Sequence, residues 1–428
     1  MKRVLIITYY WPPTGGSGVQ RWVKFTKYLQ RFGWQSIVYT PGNPEQLAVD
    51  ESLLEDVSPA VTVIKRHINE PYALYRRFFK AQDKGAGVNP LNQQKKTFKQ
   101  RLAVVLRGNL FVPDPRIGWV GPSVRFLRKY LRDNPVDAVV TTGPPHSMHL
   151  IGLRLKRSTG VRWIADFRDP WTEMHYFKHL GLLPWTAARH RRLEQRVLDK
   201  SDVVIAVSAP VRDDFQARTQ TPVVLLTNGY DKEDFALDPP ELPADRFTLV
   251  HTGLFASDGN PLNLWDVLAR KCASDGNFRR QLRIRLAGKT DAEIIDALRV
   301  RGLWDNVEDL GYLPHPQTVE LQRSASVLLL PLRQEPEYAK ALPGKIFEYL
   351  AARRPVLGIG QEGGAAATML SSCGAGVMYD WDRTEPLLNF IEGCWERHLA
   401  GTDGPCEGDI SAYSRLALTK RLAEEVLL

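Results

Sequence analysis

The sequence predicts an α/β protein made of two open, mostly parallel sheets in succession. Three observations carry that expectation. Short β-rich apolar runs alternate with helix-spaced segments along most of the chain. Nearly every run ends in a turn rich in Gly, Pro, Asn or Asp. A Pro-rich, acidic stretch at 236–245 separates two such series and has the composition of a linker. At 428 residues, 43% hydrophobic and 25% charged, the chain holds apolar material for about two or three domains. That composition excludes disordered, collagen-like and disulfide-scaffold classes.

In the first series, residues 4–10 form a β-rich run and 12–18 (Pro-Pro-Thr-Gly-Gly-Ser-Gly) a turn. Val19, Trp22, Val23, Phe25, Thr26 and Leu29 then fall near helical spacing, Gly33 ends the helix, and 36–39 starts a second strand. Residues 83–97 are polar and read as a loop. Strands are expected at 136–141, 162–165, 202–207 and 223–226, with helices at 148–157 and 188–198 between them. The second series places strands at 247–251, 283–287, 306–310, 326–330, 356–359 and 376–379. Residues 413–428 carry the apolar pattern of a docked terminal helix. In open parallel sheets ligands bind beyond the carboxyl ends of the strands, so the turns after these runs are where chemistry is expected.

No apolar run approaches the ~18 residues a membrane-spanning helix needs. Residues 4–11 are short for a signal peptide and lead into Pro12-Pro13, so a core strand is the expected reading. The four cysteines (Cys272, Cys373, Cys394, Cys406) lack C-x-x-C spacing, which suggests reduced thiols in a cytoplasmic protein. The formal charge is +9, and it is uneven: between residues 65 and 133 sixteen Lys/Arg face four acids. Two readings stay open for that segment, an anionic partner or a solvated helical face. Residues 72–80 and 98–111 interleave basic and apolar side chains, as interfacial amphipathic helices do.

Gly15-Gly16-Ser17-Gly18 opens the first helix and would let backbone approach an anion, or simply form a tight turn. It is neither a G-x-G-x-x-G fingerprint nor a P-loop. A stronger signal is Leu342-Pro343-Gly344-Lys345-Ile346-Phe347-Glu348, a helix start with unpaired amides, a cation and a carboxylate one turn in. That arrangement suits a pyrophosphate and a ribose diol; the alternative is an exposed first-turn lysine and an acid matching the helix dipole. Asp166, Arg168 and Asp169 follow a strand, where they would orient an acceptor hydroxyl and hold a phosphate, or else form an internal Asp–Arg pair. His146 and His149 follow Gly143-Pro144-Pro145 at another strand end, as acceptor contacts or buried core histidines; no third metal ligand is evident.

The 342–356 segment resembles the signature of glycosyltransferase family 4. Residues 9–18 with Arg21, Asn228-Gly229-Tyr230-Asp231, His251-Thr252-Gly253, Gly311-Tyr312-Leu313-Pro314 and the terminal helix resemble its other elements, in the family's order. The resemblance implies a GT-B fold, two Rossmann-like doubly wound domains facing a central cleft. The expected domains are 1–238, with 411–428 returning to it, and 239–410. It implies a retaining transferase using a nucleoside-diphosphate sugar, with no metal or other cofactor. Donor contacts would come from Gly15, Gly16, Gly253, Lys289, Gly311, Tyr312, Leu313, Pro343, Gly344, Ile346 and Glu348. Asp166, Arg168, Asp169 and Lys345 would serve catalysis, and Arg21, His146 and His149 the acceptor. A glycan or lipid-linked acceptor is expected, with residues 65–133 against an anionic inner membrane face, and no nucleic acid. Three departures stand out: Lys340 replaces the first acid of the family's E-x7-E pair, with Glu335 or Glu337 as substitutes; residues 253–264 carry no Arg or Lys; and Asp166-Phe167-Arg168-Asp169 stands where many members carry a His facing the acceptor. A nucleotide-sugar epimerase of the same fold, or a non-catalytic anion- or nucleic-acid-binding protein, are the alternative functions.

Overall fold

The computed structural model describes residues 1–15, 17–45, 49–70, 98–236 and 244–428. Two compact units emerge: residues 1–227 with 415–428, and residues 228–414.

The first unit is a seven-stranded parallel sheet in the order β3-β2-β1-β4-β5-β6-β7. Its strands are β1 (Lys2–Ile7), β2 (Trp34–Pro41), β3 (Thr62–Arg66), β4 (Ala138–Gly143), β5 (Trp163–Phe167), β6 (Val203–Ala206) and β7 (Val223–Leu225). The chain winds outward from β1 to β3 and then restarts at β4 on the other side of β1. Ligands of such sheets sit in the crevice where the winding reverses, here between β1 and β4. Central strands buried on both faces are continuous apolar runs, as Val4–Ile7 and Ala138–Val140 show. Strand β3 had no such run. It is an edge strand with Thr62, Lys65 and Arg66 exposed, so the residues expected only as basic surface also form a strand.

The second unit is a six-stranded parallel sheet in the order β10-β9-β8-β11-β12-β13. Its strands are β8 (Phe247–Thr252), β9 (Leu282–Ala287), β10 (Val307–Gly311), β11 (Val327–Pro331), β12 (Val356–Ile359) and β13 (Gly376–Tyr379). Its winding reverses between β8 and β11. Residues 228–236 and 411–414 belong here, because the Tyr230 amide bonds the Tyr413 carbonyl at 3.1 Å and Tyr230 packs into this unit's core.

The chain's last helix, Arg415–Arg421, and the turn that follows it return to the first unit. Leu418, Leu422, Val426 and Leu427 pack against Trp22, Val23 and Phe25 of the helix Ser17–Leu29. Among the described residues no helix is long and apolar enough to cross a membrane. Residues 72–80 and the whole of the expected loop at 83–97, with Lys84, Lys95 and Lys96, lie outside the described residues, as does Gly16.

Candidate active site

In the second unit three strand ends stack flush. Gly253, Gly288 and Gly311 follow or end β8, β9 and β10 with φ of 89°, 126° and 60°. The Gly253 amide bonds the Ala287 carbonyl at 2.7 Å, and the Gly288 amide bonds Gly311 at 2.6 Å. A Cβ at Gly288 would overlap the Gly253 carbonyl, so only glycine permits this approach.

The helix Lys345–Ala352 starts beside this ledge. Lys345 Nζ lies 3.3 Å from His251 Nε2 and 3.5 Å from the Leu254 carbonyl. His251 is buried, and its Nδ1 is 3.1 Å from the Leu329 carbonyl, which can only accept. The proton therefore sits on Nδ1, and Nε2 presents a lone pair to the lysine. Burial drags the Lys345 pKa down to about 7, while the Glu348 carboxylate opposes that shift. Burial and the Lys345 charge together keep His251 neutral, well below the usual histidine range.

Glu348 is one turn further along the same helix, so it stands on the same face as Lys345. Its carboxylate is 3.1 Å from Gln322 Nε2 and 3.5 Å from His315 Nε2. Gln322 is fully buried and gives its second N–H to Thr252 Oγ1 at 3.1 Å. The Thr252 amide in turn donates to the Tyr349 hydroxyl at 3.0 Å. A buried chain of hydrogen bonds thus ties the carboxylate to the end of β8. Sequence reasoning missed Gln322 and His251 because their partners lie 26 and 94 residues away.

The helix-start amides are fewer than the sequence suggested. The Ile346 and Phe347 amides bond the Pro343 and Gly344 carbonyls at 3.0 and 3.3 Å. Ile346 is buried core, so its contribution is packing. The Gly344 and Lys345 amides lie outside these turn bonds. Lys289 is exposed beyond β9, Tyr312 is exposed and Leu313 half-buried beyond β10. Lys340 closes the short turn Pro336–Lys340, which Glu335 precedes with one carboxylate oxygen buried.

In the first unit the structure separates the expected acceptor residues into two sets. Asp166 and Arg21 are both fully buried and bonded to each other at 2.9 and 3.2 Å. Asp166 also accepts from Trp22 Nε1 at 2.7 Å and Thr142 Oγ1 at 2.8 Å. Arg21 reaches the Leu226 and Thr227 carbonyls. Burial pushes the Asp166 carboxyl up, but the Arg21 charge and these bonds outweigh it and hold it below its usual value. These two residues are an internal pair that ties the first helix to β5 and to the end of β7. Neither presents a polar group to a substrate, which corrects the catalytic and acceptor roles expected of them. His149 is likewise buried, with Nδ1 2.9 Å from Thr141 Oγ1 and its ring 4.5 Å from that of Phe167.

The second set gathers at the ends of β4 and β5. Arg168 bonds the Gly143 carbonyl at 3.3 Å and also the Pro144 carbonyl. Its guanidinium passes over Gly18, where a Cβ would require the arginine's end to shift. Gly15 is half-buried in the same turn. Asp169 is half-buried next in the chain; burial raises its carboxyl and the Arg168 charge opposes that. His146 stacks on Trp171 at 4.8 Å, with ring planes 4° apart.

The family model described as Glycosyltransferase Family 4 matches residues 87–234, and that described as Glycosyl transferases group 1 matches residues 247–388. The two matches together span more than half the chain. It belongs to the family 4 glycosyltransferases. This glycosyltransferase is similar over 100% of its length to 97% of a glycosyltransferase from Rickettsia africae, with TM-score 0.61 and 14% identity. It is similar over 99% to 94% of Anabaena HepE in complex with UDP-glucose, with TM-score 0.56 and 15% identity. A putative UDP-N-acetylglucosamine 2-epimerase from Listeria monocytogenes also aligns, over 99% and 95% of the two chains, with TM-score 0.54 and 10% identity. At such identities these structures establish the GT-B fold alone. No curated protein sequence gives a significant match to the glycosyltransferase.

Proposed function

We propose that the enzyme moves a glycosyl group from a nucleoside-diphosphate sugar to a hydroxyl of a lipid-linked or cell-surface glycan, with retention at the anomeric carbon. The observation that carries this reading is the Lys345–Glu348 pair on one helix start, its cation backed by His251 and its carboxylate backed by Gln322. A carboxylate fixed in this way accepts two hydrogen bonds from a ribose diol. Lys345, with the Gly344 and Lys345 amides, faces the diphosphate and takes up charge as the sugar leaves. Amides and ammonium neutralise the leaving group, so no metal is assigned to the step. On the acceptor side, Asp169 is the carboxylate left to orient a hydroxyl, with Arg168 beside it. The family matches favour transfer over epimerisation.

A peripheral position on an anionic cytoplasmic membrane face fits the acceptor proposed. Leu102, Leu106 and Leu110 recur every fourth residue on the helix Phe98–Leu110, and all three are exposed. Leu183 and Trp185 add to that apolar surface, since Asn109 bonds the Leu183 amide at 2.9 Å.

The first test is a thermal-shift screen of nucleoside-diphosphate sugars, beginning with UDP-glucose, because the similar Anabaena fold was solved with it. Binding of at least one donor, abolished in Glu348→Ala, is expected. Failure of every donor to shift the melting temperature would reject the reading.

A further inference from the structure

Two hydrogen-bond acceptors of the second unit fix the amine of Lys345, which is half-buried at the start of its helix. One is His251 Nε2 at 3.3 Å, a lone pair because Nδ1 carries the proton toward the Leu329 carbonyl at 3.1 Å. The other is the Leu254 carbonyl at 3.5 Å. A neutral amine has two N–H bonds and one lone pair. With an acceptor for each N–H bond, the lone pair is turned away from both.

The flank of the amine toward Gly253 is open. A Cβ built on Gly253 would stand 3.5 Å from Nζ and 3.6 Å from Cε. Apart from the glycine's neighbours in the chain, no other described residue comes within 4 Å of that point. The backbone there has φ of 89°, which favours glycine, so no side chain covers the amine from that side.

The titratable groups beside the amine are Glu348 on its own helix and His251 on β8, with His315 reaching Glu348 at 3.5 Å. Burial brings the Lys345 pKa to about 7 against the opposing Glu348 charge, and His251 stays neutral. Half of such amines are uncharged at neutral pH, and an uncharged lysine is a nucleophile where its ammonium is not.

We propose that Lys345 is a site of covalent acylation, and that its acyl donors are small acyl phosphates. The Nζ lone pair attacks the acyl carbon and forms an N–C bond. The C–O bond to phosphate breaks, and phosphate leaves with the electron pair. The proton lost by the nitrogen passes to His251 Nε2 and from there to the departing phosphate. The product is a neutral amide, so the charge set against the donor diphosphate is lost. That consequence, a covalent brake on donor binding, rests on the transferase reading above; the acylation itself does not.

The test incubates the whole protein with acetyl phosphate from about pH 6 to about pH 9 and reads acetylation of each lysine by peptide mass spectrometry, with exposed lysines as internal standards. At pH 7 Lys345 should label about tenfold faster than the standards, and its rate should level off above about pH 8, where an amine with the reference pKa of about 10.4 still gains about tenfold per pH unit. Labelling no faster than the standards at pH 7, or rising in parallel with them, would overturn the proposal. His251→Phe keeps a ring against Phe255 and removes the proton acceptor. It should slow Lys345 about tenfold or more and leave the standards unchanged; an unchanged rate would overturn the step as written. Donor affinity is measured on the same samples, with Lys345→Arg as the control that acetyl phosphate should not alter. Donors that bind to a protein whose Lys345 resists acetylation would remove the acylation site alone. Absence of donor binding before treatment would remove the transferase reading alone.

Discussion

Lys345 has its ammonium 3.3 Å from an imidazole nitrogen that can only accept, and burial brings its pKa to about 7. At pH 8 about one lysine in ten is then protonated, by the ordinary titration relation. A donor diphosphate placed beside it favours the charged form, so binding at pH 8 should draw roughly 0.9 proton from the buffer. Affinity should fall about tenfold per pH unit above 7, until the pKa of the bound state is reached. Neutral His251 adds no titration in that window, because burial holds it well below the usual range. Calorimetry of donor binding in two buffers of different ionisation enthalpy reads the proton directly. Lys345→Arg keeps the charge and loses the titration, so its affinity should be nearly flat with pH and its uptake near zero. Lys345→Met should lose about 1.5–3 kcal/mol of donor binding, the range of a hydrogen bond to a charged group. Stability has the opposite sign. Between pH 7 and about 10 the unfolded chain holds a proton that the folded chain releases, so the stability of the native state rises with pH across that window. Lys345→Met should therefore raise the melting temperature most at or below pH 7. Absent proton uptake at pH 8, or equal uptake by Lys345→Arg, would refute the reasoning.

Gln322→Leu removes the donor that fixes Glu348 but leaves its charge; donor Kd should rise about five- to tenfold, or about 1–1.5 kcal/mol, and unchanged affinity would show that the carboxylate needs no support. Asp166→Asn leaves the buried Arg21 charge uncompensated, so unfolding in urea should show a loss of about 3 kcal/mol, with acceptor KM unchanged where the fold persists; a selective KM effect would return Asp166 to the acceptor side. Because the Asp166 carboxyl is held below its usual value, its contribution is present at neutral pH and is lost as pH falls through the depressed pKa, so the wild type and Asp166→Asn should converge in stability in acid. Turnover with a donor should survive excess EDTA, and a loss of more than tenfold that Mg²⁺ restores would reject the metal-free reading.

The alternation of strands and helices was legible in the sequence, since strands buried on both faces must be apolar and their turns must carry glycine or proline. Among the described residues, all but one of the thirteen strands appear at the expected positions to within a few residues. The exception, β3, pairs on one side only, and its exposed Thr62, Lys65 and Arg66 give no apolar signal. The Pro343–Glu348 segment was legible because its cation and carboxylate are three residues apart on one helix, a local relation that spacing reports. What the sequence could not determine is which charges face a ligand and which face each other. Asp166 near the end of β5 and Asp169 just beyond it stand three residues apart, yet 145 residues of chain close on the first to set Arg21 against it. The polar partners of Glu348 and Lys345 are likewise brought together only by folding, from strands and helices far apart in the chain. Periodicity encodes local burial, whereas hydrogen-bond partners at a sheet edge depend on strand order, and that order is a property of the tertiary structure.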